Sequence, residues 1–192
     1  MGFDVYHKIL DEAVGELKET EFKDLFENDQ DRNKFHAIKE ECVIETDLEI
    51  LIPQDYVSNI SERLNLYSKM DTLETPVELD AFIKGMRDRF GPLPETVNRL
   101  MISVQVRWVG IALGFEKISI KNELMKCYLS ESKDEAYFQS DLFGHVLQFV
   151  QSQPRRCNMR DHRKKLIISI TEINGVEEAL SVLNQMYSTV PA

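Results

Sequence analysis

The chain has 192 residues, of which 43% are hydrophobic and 29% charged, and its formal net charge at pH 7 is −10. These values are typical of a folded domain with its own core, and no apolar run reaches the roughly 20 residues that span a bilayer. The negative charge disfavours general binding to nucleic acid. Three scattered cysteines and the absence of a signal-peptide pattern argue against a disulfide framework, so we expect a cytoplasmic protein with no membrane partner.

The first 41 residues are predicted to form a helix followed by a polar linker. Apolar residues recur there every three or four positions, which is the spacing of one helix face: Phe3, Tyr6, Leu10, Val14 and Leu17. Residues 27–41 are mostly polar and acidic, as in a loop. We therefore divide the chain into a helix and linker at residues 1–41 and a domain at residues 42–192.

An extended segment and three helices are predicted next. Residues 42–52 contain β-branched residues typical of a strand, and Pro53 ends this segment. Ser58 or Ser61 is expected to cap the first helix, and Thr75-Pro76 to open the second. The third helix has one broad apolar face, and Gly114 fits its C-terminal cap. This face contains Val97, Leu100, Met101, Val104, Trp108, Ile111 and Ala112. Trp108 is therefore expected in the core, whereas Arg107, beside the face, could pair with a carboxylate of the same domain.

A sharp corner separates the second and third helices at Asp88-Arg89-Phe90-Gly91-Pro92-Leu93-Pro94. Gly91 is expected to close the second helix in the left-handed conformation, and Pro92 prevents its continuation. Pro94 suits the first position of the next helix.

The last third of the sequence favours strands. Residues 117–120, 124–129 and 165–171 have strand patterns, residues 155–159 could add another strand, and helices are predicted after Ser140 and Gly175. The predicted fold class is α/β of the α+β type. It is a small, mostly antiparallel sheet packed against several helices, with an N-terminal helical linker.

No catalytic, cofactor-binding or metal-ligating residue is predicted. Phosphate-binding loops are absent, the four histidines lack ligand spacing to the cysteines, and no nucleophile arrangement supports a hydrolase. The basic segment at residues 155–165 leaves two interpretations open. It could be the exposed turn of a hairpin, or it could bind phosphate or nucleic acid. We favour the hairpin, because no aromatic residues alternate with the arginines.

The order of several short motifs carries a family resemblance. Ile52-Pro53-Gln54-Asp55-Tyr56-Val57, the corner, and Leu113-Gly114-Phe115-Glu116-Lys117-Ile118 follow one another along the chain. Together they resemble the C-terminal domain of the bacterial transcription-repair coupling factor over nearly the whole chain. Gly2-Phe3-Asp4-Val5-Tyr6 is similar to the stretch that follows the DNA-translocase motor of that factor.

This resemblance implies a noncatalytic regulatory domain. Such a domain inhibits its parent protein by docking on an N-terminal module similar to the B component of the excinuclease. It thereby masks the surface that binds the A component of the excinuclease until the factor engages stalled RNA polymerase. DNA, ATP and magnesium would belong to the parent motor, and this domain would need no cofactor.

The resemblance also implies which residues dock. Asp88 matches one of two acidic residues that meet basic residues of the partner module. The second acidic position, three residues earlier, is Gly85 here, which puts part of the contact in doubt. Lys84 and Arg87 are nearby and would change the charge pattern of the contact.

Overall fold

The structure is a computed structural model that describes residues 41–129, 135–162 and 165–188. Its strands are β1 (Val43–Thr46), β2 (Phe115–Lys121), β3 (Leu124–Leu129), β4 (Cys157–His162) and β5 (Lys165–Thr171). Its helices are α1 (Ile60–Asp71), α2 (Pro76–Phe90), α3 (Glu95–Ala112), α4 (Glu135–Phe138), α5 (Asp141–Ser152) and α6 (Val176–Ser188). The helix predicted near the N-terminus and the linker as far as residue 40 lie outside the described residues.

The five strands form one sheet in the order β1-β2-β3-β5-β4. β1 runs parallel to β2, and the other neighbouring pairs are antiparallel. The predicted α+β class, with a mostly antiparallel sheet and several helices, is thus confirmed. Among the described strands, β1 and β4 form the two edges of the sheet.

The first hydrophobic core lies between one face of the sheet and helices α3, α5 and α6. Because side chains alternate along a strand, every second strand residue points into this core. The strands contribute Ile118, Ile120, Met125, Leu129, Ile168 and Ile170. The helices contribute Val106, Val146, Phe149, Val176, Ala179 and Leu183. The free thiols of Cys42, Cys127 and Cys157 are also buried there. Burial raises the pKa of the Cys42 thiol to about 12, so this thiol stays protonated at neutral pH.

The second hydrophobic core joins helices α1 and α2 to the N-terminal half of α3. Its buried members are Ile50, Ile52, Val57, Leu66, Tyr67, Met70, Leu79, Met86, Val97, Leu100, Met101 and Val104. The hydroxyl of Tyr67 accepts a hydrogen bond from the backbone N–H of Ile52 at 2.8 Å, which satisfies a polar group inside this core.

Helix α3 approaches the sheet closely at Gly110. A Cβ atom at this position would lie 2.8 Å from both Cys42 Sγ and Ile118 Cδ1, closer than real Cβ contacts allow. Glycine therefore permits the contact between α3 and strands β1 and β2.

Several sequence predictions need correction at the ends of elements. β1 stops at Thr46, because the side-chain oxygen of Thr46 accepts the N–H of Leu48 and turns the chain. Asn59, not Ser58 or Ser61, caps α1, since its side chain accepts the N–H of Glu62 at 2.9 Å.

The corner and the last third also differ in detail from the predictions. Pro94 is the cap residue of α3 rather than its first residue. Gly91 has the expected positive φ of 87°, but its ψ of −163° lies outside the left-handed helical region. Strand β4 begins at Cys157 rather than Arg155, because the chain first turns after α5. The short helix α4 was not predicted, whereas the caps at Thr75 and Ser140 are confirmed.

Replacing Gly85 with alanine is expected to raise the free energy of unfolding by about 0.5–1 kcal/mol. Gly85 lies inside α2, and an added Cβ would meet no atom within 4 Å, so alanine gains helix propensity without a clash. Urea unfolding measures the change. The matched control is Gly91→Ala, which should lower stability by about 1–3 kcal/mol because its backbone conformation suits only glycine. A lower urea midpoint for Gly85→Ala would contradict this prediction.

Candidate functional site

The corner between α2 and α3 is held by a tyrosine from a preceding loop. The hydroxyl of Tyr56 donates to the carbonyl of Gly91 at 3.0 Å and lies 3.5 Å from the carbonyl of Met86. Its ring is 5.8 Å from that of Phe90. The end of α2 is therefore fixed to the second core, and the charges it carries sit on a rigid support.

The start of α2 is fixed by a capping box. The side chain of Thr75 accepts the N–H of Glu78, and the Glu78 carboxylate accepts the N–H groups of Glu74 and Thr75 at 2.9 and 3.1 Å. These backbone hydrogen bonds hold the pKa of Glu78 below its ordinary value. Both ends of α2 are thus defined by specific contacts.

Three exposed charges near the end of α2 form what we call the corner patch: Lys84, Arg87 and Asp88. None of them forms an ion pair with another described residue. Neighbouring Arg89 differs, because it pairs with Glu62 at 2.8 Å and lies over the ring of Phe90. Asp88, which the family resemblance implies as a docking residue, is therefore available to a partner, as are Lys84 and Arg87 beside it.

An open cleft of about 500 Å³ adjoins the corner patch. It is lined by Arg87, Gly91, Pro92, Leu93 and Asn98. Because Arg87 lines this cleft together with the apolar residues Pro92 and Leu93, the cleft suits a partner residue that is apolar and close to a carboxylate.

Gly85 leaves a gap in the surface beside the corner patch. The backbone of α2 is bare here, and no atom lies within 4 Å of the position that a Cβ would take. The second carboxylate that the resemblance implies is therefore missing, and the space for it is open.

The basic segment at residues 155–165 forms a hairpin, as favoured from the sequence. His162 pairs with Lys165 across β4 and β5. Arg163 and Lys164 lie outside the described residues. Arg156 serves the fold, because its side chain pairs with Glu172 at 3.1 Å and donates to backbone carbonyls.

The sheet places an aromatic residue, Tyr128, in the same row as Arg160 of the basic segment, which the linear sequence does not show. Pairing across the sheet places Val43, Lys117, Tyr128, Ile167 and Arg160 in one row on the face opposite the first core. We call this the open face. The Lys117 ammonium lies 5.6 Å from the centre of the Tyr128 ring. In the sequence, only the alternation of Leu124, Lys126 and Tyr128 indicates that these side chains share one face of a strand.

No candidate metal site is found in the described part of the chain. No group of three His, Cys, Asp or Glu residues there could hold a metal ion. Arg107 pairs with Asp71 at 3.2 Å, and the indole N–H of Trp108 donates to the Leu73 carbonyl, so both serve the domain as expected. Of the helices described, none is long and apolar enough to cross a membrane.

Comparison with known proteins places this architecture in a family. Residues 46–140 match the TRCF domain. The chain is 32% identical over 154 residues to a transcription-repair-coupling factor of Haemophilus influenzae, which covers 80% of the chain. It is 25% identical over 188 residues to the factor of Staphylococcus aureus (strain USA300), which covers 95% of the chain. The chain spans only 12% and 14% of the length of these two relatives.

A solved structure has the same fold. It is the crystal structure of the C-terminal domain of a transcription-repair coupling factor, with a TM-score of 0.62 and 12% sequence identity. The match covers 80% of this chain and 98% of that structure.

Replacing Glu45 with glutamine is expected to lower stability at pH 7 by a few tenths to about 1 kcal/mol, the range for exposed ion pairs. The Glu45 carboxylate joins β1 to β2 by pairing with Lys117 at 2.7 Å and Lys121 at 3.1 Å. The hydrogen bond from Lys117, then that from Lys121, lowers the pKa of Glu45 from 4.5.

The effect of Glu45→Gln should depend on pH. A lowered carboxylate pKa stabilises the fold above the ordinary value of 4.5, and this contribution is lost as the pH falls through the lowered pKa. The gap between wild type and variant in urea midpoint should therefore close in acid. Glu49→Gln, at an exposed residue without an ion pair to any described residue, is the control. A gap that persists once the Glu45 carboxylate is protonated would argue against the ion pairs as its cause.

Proposed function

The chain belongs to the family of TRCF domains, the C-terminal domains of transcription-repair coupling factors, and we propose that it is a noncatalytic regulatory domain of such a factor. It docks on an N-terminal module similar to the B component of the excinuclease and masks the surface that binds the A component. Engagement of stalled RNA polymerase on DNA releases it. Residues 1–41 connect the motor to the regulatory domain at 42–192, and ATP and magnesium serve the motor alone.

One observation carries this proposal. Asp88 is an exposed carboxylate at the end of a helix that is held at both ends, and no described residue pairs with it. A charge on a rigid support loses little conformational entropy when it meets a partner, which favours a specific ion pair. Asp88 also lies in one of the motifs whose order along the chain carries the family resemblance.

The charges of the corner patch determine which partner surface would fit it. Asp88 requires a basic residue, as the resemblance implies. Lys84 and Arg87 flank it and would repel a surface with basic residues alone. A matching surface therefore carries a basic residue opposite Asp88 and an acidic residue near Arg87 and the cleft.

Binding of phosphate or nucleic acid by residues 155–165 remains the second candidate. Tyr128 lies in the same row as Arg160, with Ile167 between them, which favours this candidate because aromatic side chains near cations can stack with bases. The use of Arg156 within the fold and the net charge of −10 weaken it. A titration with labelled DNA at low salt separates the two candidates, since phosphate contacts give a steep salt dependence.

Replacing Asp88 with asparagine is expected to weaken docking on the separately made N-terminal module by about 2–5 kcal/mol if the pair is desolvated in the complex. The side chain keeps its shape and loses its charge. In the complete factor, Asp88→Ala should increase binding to the A component of the excinuclease. Calorimetry of the isolated parts and pull-down with the complete factor measure the two effects.

Asp80→Asn is the matched control for Asp88→Asn. Asp80 is exposed on the same helix and makes no ion pair with another described residue. If both variants dock as tightly as wild type while remaining folded, Asp88 is not a docking residue.

Replacing Gly85 with glutamate is expected to strengthen docking by about 0.2–1 kcal/mol, the range for an exposed pair, or up to roughly fivefold in affinity. The new side chain enters open space and supplies the missing second carboxylate. Gly85→Gln is the control of equal length. Equal gains for the two variants would assign the effect to helix propensity rather than to charge.

A further inference from the structure

The open face of the sheet is uncovered by any described helix. Helices α3, α5 and α6 pack on the opposite face. Val43 is 39% exposed, and Tyr128, Ile167 and Leu124 are only partly buried on this side. Apolar and aromatic side chains thus form the centre of a sheet face that no described helix covers.

The open face is also basic in a protein that is acidic as a whole. Lys117 and Lys121 share the Glu45 carboxylate, and Lys165 pairs with Glu116. No described residue forms an ion pair with either Lys126 or Arg160, which are exposed there. Five cations stand against two carboxylates, an excess of three positive charges. The cations are Lys117, Lys121, Lys126, Arg160 and Lys165, and the carboxylates are Glu45 and Glu116.

We propose that residues 19–29 of this chain bind the open face. This segment reads Glu19-Thr20-Glu21-Phe22-Lys23-Asp24-Leu25-Phe26-Glu27-Asn28-Asp29. It combines five acidic residues with one lysine and three large apolar side chains. Its composition is the complement of the open face, in which Lys117 and Arg160 flank Tyr128 and Ile167 along one row.

The connection to β1 lets the segment reach the whole face. Residues 30–42 join it to Val43, and 13 extended residues span up to about 43 Å. Five strands about 4.8 Å apart make a sheet only about 19 Å wide. Because the segment is tethered, its effective concentration at the face is in the millimolar range. Weak contacts are therefore enough to hold it there.

The charges on the open face favour an acidic polypeptide over nucleic acid as its binding partner. Glu45 and Glu116 lie among the cations and would repel phosphate groups, whereas a polypeptide can place its acidic residues opposite Lys126 and Arg160 and its apolar residues elsewhere. Tyr128 is the one aromatic residue among the described residues of this face, which offers little stacking for successive bases.

Zero-length carbodiimide cross-linking of the complete 192-residue chain tests the proposal. This reagent joins lysines to carboxylates in contact, and mass spectrometry identifies the linked residues. We expect links from Lys117, Lys121 and Lys126 to residues 19–29. Links from Lys117 and Lys121 should fall at least threefold in the double variant Lys126→Glu, Arg160→Glu. They should be unchanged in Lys84→Glu, Arg87→Glu, which makes the same charge change on the corner patch.

Three results would overturn the proposal. The first is an equal yield of links from residues 19–29 to Lys84 and to the sheet lysines. The second is that the links join two chains, which a mixture of isotopically labelled and unlabelled protein reveals. The third is salt-sensitive binding of a labelled single-stranded oligonucleotide to wild type that Lys126→Glu, Arg160→Glu abolishes. Docking through Asp88 is independent, because Asp88→Asn should leave the cross-links unchanged.

Discussion

Helix α3 belongs to both hydrophobic cores, and this sharing fixes the corner relative to the sheet. Val97, Leu100 and Val104 pack in the second core, whereas Val106 packs in the first. Gly110 then brings the helix against β1 and β2. Because packed interiors transmit displacement rather than absorb it, a force applied at the corner acts on the whole domain. A regulatory domain that docks through a corner needs this rigidity.

The charged groups of the described residues lie outside the two hydrophobic cores. Both cores consist almost entirely of apolar side chains, and the buried thiols are protonated at neutral pH because burial raises their pKa values. A thiol in that state is a poor nucleophile. Charge on rigid elements is found in the corner patch on α2 and in the cations of the open face. Both suit recognition of another polypeptide better than chemistry on a small molecule.

Much of the fold could be predicted from signals that are local in the sequence, such as helix caps. The open face could not, because it depends on pairing between strands that are far apart in the sequence. The capping box at Thr75 and Glu78 and the serine cap at Ser140 can be read within four residues, so both helix starts were predicted correctly. The cap of α1 was misplaced because Asn59 lies between two serines that are also good caps. The parallel pairing of β1 with β2 joins residues over seventy positions apart. The pairings of β3 and β4 with β5 place Tyr128 and Arg160 in one row, and alternation along a single strand cannot show these pairings.

The free energies of the contacts indicate how docking through the corner could act as a latch that closes and still opens. Moving a two-state equilibrium from 99:1 to 1:99 takes about 5.5 kcal/mol, and one exposed ion pair supplies at most about 1 kcal/mol. Without a carboxylate at Gly85, Asp88 cannot hold the closed state by charge alone unless the pair is desolvated. Burial of Pro92 and Leu93 in the proposed complex would add to this, since burying about 100 Å² of apolar surface contributes about 2.5 kcal/mol. With one exposed pair this comes to about 3.5 kcal/mol, which suits a contact that a partner can open. We therefore propose that apolar contact at the cleft supplies most of the docking energy, while Asp88 sets the partner and the register.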